Sequence, residues 1–66
     1  MTVQTPLGKI TASKEVLVLL EGKMWDSYHY NRHEGFINIA NEACDTADTI
    51  HEALKSKGVF DNIKRN

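Results

Sequence analysis

The sequence is short of almost everything that usually stabilises or identifies a very small domain. It holds one cysteine, Cys44, in 66 residues. No intrachain disulfide can form, and the missing framework points to a reducing compartment, with the cytoplasm as the expectation. No apolar run approaches the ~20 residues that span a bilayer, and the N-terminus lacks the basic-then-apolar pattern of a signal peptide, so no membrane role is expected. Positive charge is not in surplus either: eight Lys/Arg stand against nine Asp/Glu, a net charge of -1 and a pI near 6.2. That balance makes duplex nucleic acid the least favoured partner, because non-specific binders use excess cations to displace counterions. There is no G-x-x-x-x-G-K or G-x-G-x-x-G phosphate loop, no H-E-x-x-H and no pair of cysteines at zinc spacing.

A chain of this length buries only about 60% of the surface its unfolded form exposes, so a partner, a metal or a second copy would help it fold. The organisation it predicts is all-α, a helical hairpin or small helix bundle completed by oligomerisation. One domain covers 1–66, with an extended arm over 1–10, a helical core over 11–57 and a tail over 58–66. The arm contains Pro6 and Gly8, and Pro6 biases Thr5 toward extended backbone, so a helix begins no earlier than Thr11. Thr11 or Ser13 supplies an N-cap, with Glu15 at the positive end of the helix dipole. Gly22 interrupts the run that follows and is expected to break or kink it. A strand hairpin over residues 16–30, turning at Glu21-Gly22-Lys23, is the alternative for this stretch. Met24 and Tyr28 favour the helix, since they extend the stripe of Leu17 and Leu20 at spacings of three and four.

The second half is more regular. Phe36, Ala40, Ala43, Ala47, Ile50 and Leu54 recur at steps of 4, 3, 4, 3 and 4, the seam of an amphipathic helix. Gly58 ends it, with Val59 as the apolar contact that accompanies a glycine cap. The three alanines permit close approach of a neighbour. Ile37, Ile39 and Cys44 widen the apolar face beyond what one short helix covers, which points to a homo-oligomer. Lys55, Lys57, Lys64 and Arg65 face only Asp61 in the tail and complement a helix C-terminus, each by about 0.3–1 kcal/mol.

The chemistry is concentrated in Trp25 to Glu34, which holds three of the five aromatics and two of the three histidines. On a helix Trp25, His29 and Arg32 share a stripe and Tyr28 links it to the core face. Aromatic and imidazole rings stack on a base and a guanidinium forks onto phosphate, so Trp25, Tyr28, His29, Arg32 and His33 form the expected ligand site for a nucleotide-like anion. The bland reading makes Trp25 and Tyr28 core or interface aromatics and pairs Arg32 with a surface acid. Metal is a lesser alternative: Asp26, His29 and His33 share one helical stripe and Cys44, Asp48 and His51 another, and zinc would require the two to meet. No metal or other cofactor is expected, and no catalytic residue is assigned, because nothing marks a nucleophile with a base and an oxyanion site. Glu42, Asp45, Asp48 and Glu52 read as a solvated helix face.

In size, inferred helices and the aromatic-basic run Trp25 to His33, the chain resembles small phage-encoded helical sponge proteins that sequester nucleotide immune signals of bacteria. The resemblance carries no residue roles. It implies non-catalytic capture of a signal, with a phage origin, and hence an anti-defence role. The competing class is a protein-protein inhibitor or adaptor that offers Trp25, Tyr28, Tyr30 and Arg32 to a host protein, these residue types being enriched at interface hot spots.

Overall fold

The computed structural model describes residues 1–59. The order of elements is β1 (Thr2–Thr5), β2 (Gly8–Thr11), α1 (Lys14–His33) and α2 (Ile37–Ser56). The helical hairpin expected from the sequence is present, and both helices have 20 residues.

The N-terminal arm is more than extended chain. β1 and β2 pair antiparallel in the register Thr2↔Thr11, Val3↔Ile10, Gln4↔Lys9 and Thr5↔Gly8. The β-branched residues of both strands suit a pleated ladder. Pro6 and Leu7 form the turn, and Gly8 takes φ +117°, open to glycine and strained for any side chain. Thr5 Oγ1 closes the turn by donating to Gly8 O at 2.7 Å and accepting from Leu7 N at 3.2 Å. Val3 and Thr5 turn inward and are buried. The fold is therefore mostly helical with a strand pair, a correction to the all-α expectation.

Ser13 caps α1, its hydroxyl accepting from Val16 N at 3.2 Å, and Glu15 lies in the first turn. The helix continues through Gly22 with neither the break nor the strand hairpin considered for this stretch. A mid-helix glycine costs about 1 kcal/mol against alanine, and Leu17 and Leu20 just before it pack into the core. Both helices stop in the same way. Glycine at positive φ, Gly35 at 88° and Gly58 at 76°, follows each cap. The backbone N–H of Phe36 returns to Asn31 O at 2.8 Å and that of Val59 to Leu54 O at 3.1 Å, which satisfies carbonyls the helix leaves open.

The core sits at one end, where Val3, Leu17, Ile50 and Leu54 are buried and Ile10, Leu20, Ala53 and Val59 pack against them. The α2 seam is buried from Ala40 to Leu54, while its first member, Phe36, is 53% exposed. Ile37 and Ile39 are also more than half exposed. Of the basic tail, Lys55 and Lys57 fall within the described residues, and Lys64 and Arg65 lie outside them.

Candidate functional site

Beside the buried seam, one stripe of each helix lines the flank of the hairpin. Helical spacing puts Glu21, Trp25, Tyr28 and Arg32 on one stripe of α1 and Ile37, Asn41, Cys44, Asp48 and His51 on one stripe of α2. Glu21 joins them near the middle of α1. Its half-buried carboxylate accepts from Trp25 Nε1 at 3.2 Å and lies 3.2 Å from His51 Nδ1 through each oxygen. A carboxylate only accepts, so the His51 proton on that edge sits on Nδ1.

Toward the interhelical turn the stripes separate into an open cleft of about 270 Å³ lined by Tyr28, Arg32, Ile37, Ala40 and Asn41. Arg32 is exposed and folded back on its own helix: Nη1 donates to Tyr28 Oη at 2.6 Å, and Cζ lies 5.9 Å from the centre of the Tyr28 ring. No carboxylate pairs with it among the described residues, so its remaining donors stay open. The Tyr28 ring in turn meets Trp25 edge-on, 5.8 Å between centroids at 90°, and His29 at 5.1 Å and 67°.

Of the expected ligand residues, the structure thus brings together Trp25, Tyr28, His29 and Arg32 as one chain of contacts, with Tyr28 and Arg32 in the cleft. His33 is exposed as the last residue of α1 and does not line it. Ile37, Ala40 and Asn41 complete the cleft and were missed as site residues. Asn41 carries the one usable signal, an amide four residues after Ile37 on a helix otherwise lined there with apolar groups.

The two stripes proposed for metal do not converge. Among the described residues no group of three or more His, Cys, Asp or Glu could hold an ion. His51 is instead engaged with Glu21, and Cys44 Sγ lies 4.0 Å from Asp48 Oδ2. Desolvation by neighbouring protein atoms, followed by the negative charges of Asp48 and Asp45, pushes the Cys44 thiol above its ordinary pKa. It stays protonated at neutral pH, the opposite of an activated nucleophile.

No described helix is long and apolar enough to cross a membrane. No protein-family model, curated protein or solved structure matches the chain.

Proposed function

We propose that this protein is a non-catalytic binder that captures a nucleotide-like anion at the Tyr28–Arg32 cleft. The observation that carries the reading is a guanidinium without a carboxylate partner among the described residues, held against an aromatic cluster at the mouth of an interhelical cleft. Arg32 offers fork-shaped donors to a phosphate, Tyr28 and His29 offer ring faces and edges to a base, and the Asn41 amide can both donate and accept on a base edge. At about 270 Å³ the cleft falls just below the ~300–1,000 Å³ of ordinary ligand pockets. One chain thus holds a base or a phosphate rather than a whole dinucleotide. The narrower form of the proposal is a phage-encoded sponge for a bacterial nucleotide signal, and it rests on the resemblance in size and in the run Trp25 to His33. A reducing, cytoplasmic setting suits the single free thiol.

Trp25 is the sole tryptophan and touches the Tyr28 ring, so its fluorescence reports on the site. Titration with nucleoside monophosphates, cyclic nucleotides and cyclic dinucleotides is expected to give saturable quenching with at least one class, lost in Arg32→Ala. Flat titrations across the panel count against capture.

The second reading, a module that docks on a host protein, is favoured by the exposed Tyr30, Phe36, Ile37 and Ile39. It moves the anchors away from Trp25, whose indole is half-buried and hydrogen-bonded to Glu21. Under it, Phe36→Ala would abolish partner binding and Arg32→Ala would not.

A further inference from the structure

The face of α1 opposite the core carries an ordered pattern that nothing among the described residues uses. Glu15, Leu19, Lys23, Asp26, Tyr30 and His33 follow one another at steps of 4, 4, 3, 4 and 3 and are all exposed, with Leu19 at 68% and Tyr30 at 64%. None of the four ionisable side chains has a hydrogen bond or ion pair among the described residues. Read in charge, the stripe runs acid, apolar, base, acid, apolar, base. Turned end for end it is complementary to itself: Glu15 meets His33, Leu19 meets Tyr30, and Lys23 meets Asp26.

We infer that a second copy of this chain docks along this stripe, α1 against α1, antiparallel about a two-fold axis that passes between Lys23 and Asp26. Each pair then occurs twice, as an isologous interface requires. The antiparallel alignment also sets each helix N-terminus beside the partner's C-terminus, the favourable arrangement of the dipoles. Gly22 lies beside the axis, and a Cβ built there meets nothing within 4 Å among the described residues. A glycine in that exposed mid-helix position costs helix stability for no intrachain gain, and it lets a second backbone come close. Val16 and Val18, both exposed, flank the stripe on either side. The dimer goes beyond ligand capture, since the cleft lies on the flank of α1 that faces α2 and Tyr28 and Arg32 do not belong to the stripe.

Sedimentation equilibrium on the full chain tests it with charge variants at exposed positions. Lys23→Glu sets two carboxylates against each other across the axis, and Asp26→Lys sets two ammonium groups. Each variant alone is expected to weaken dimerisation about tenfold or more, while circular dichroism stays unchanged. Mixing the two variants restores complementary pairs, so a heterodimer forms with near wild-type affinity. A wild-type chain that stays monomeric at millimolar concentration overturns the inference. So does an oligomer indifferent to both variants, which would place the contact elsewhere, and so does failure of the mixture to rescue. Nucleotide titration of the monomeric variants reads the cleft separately.

Discussion

The two ends of the helical hairpin are built from the same seam and put to different use. At the end where α1 begins and α2 finishes, the β-hairpin closes over Leu17, Ile50 and Leu54, all fully buried. The Gly58 cap brings Val59 back onto this cluster. At the other end no strand among the described residues covers the helices, and Phe36, Ile37 and Ile39 are exposed beside the Tyr28–Arg32 cleft. Burial at the first end holds the fold, which leaves the second end free to expose apolar and aromatic groups that a folding core would otherwise absorb. The chain thus concentrates its buried core at one end and its exposed apolar groups at the other.

The largest effect should come from cutting into the closed end. Leu54→Ala removes a fully buried side chain at a cost of about 2–5 kcal/mol, against a total near 3–10 kcal/mol for a domain of this size at ~0.05–0.15 kcal/mol per residue. Denaturant melts should find it largely unfolded or close to it. Phe36→Ala, the same seam at the open end, should cost less than ~1 kcal/mol. Equal losses would dissolve the distinction between the ends.

Next in size is Arg32→Ala, which should leave the melting curve intact and weaken nucleotide binding by tenfold or more, the scale of a charge-assisted contact at about 1.5–3 kcal/mol. Isothermal titration beside the melt separates the two effects. Ser13→Ala at the closed end should destabilise by about 1 kcal/mol through loss of the cap to Val16 N, without touching binding.

The smallest effect concerns Cys44, on the α2 stripe between the ends. Its pKa is raised, so at any given pH less thiolate is present than in the unfolded chain, and alkylation by iodoacetamide should be slower in the native protein. The native rate should climb at a higher pH than the unfolded rate. Asp48→Asn removes one of the negative charges that hold the proton on and should speed the native reaction at pH 8. An unchanged rate would leave the shift to desolvation and Asp45.

Much of the closed end was legible from residue order. A cap at Thr11 or Ser13, of which the fold uses Ser13, the seam from Ala47 to Leu54 and the Gly58–Val59 ending follow from local rules that act within a few residues. The β-hairpin was not, because Thr2–Thr5 and Gly8–Thr11 alternate weakly and Pro6 reads equally as a loop residue. The pairing depends on Val3 and Ile10 reaching a core made by distant helices. Gly22 misled for a related reason: its local cost is fixed, but packing of Leu17 and Leu20 into the core with Ile50 and Leu54 outweighs it. At the site, the aromatic-basic run was visible and its counterpart was not. Which α2 residues face Tyr28 and Arg32 is set by the tight turn at Gly35 and the rotation of one helix against the other, so Ile37 and Asn41 carried little signal beforehand.

The most direct test of ligand capture is native mass spectrometry of the wild-type chain and its Arg32→Ala variant after incubation with the same nucleotide panel. Ligand capture requires a reproducible mass increment of one nucleotide on the wild type that is absent from the variant, at equal folded charge-state distributions. A bare wild-type protein across the whole panel, or an increment of equal occupancy on Arg32→Ala, would contradict it.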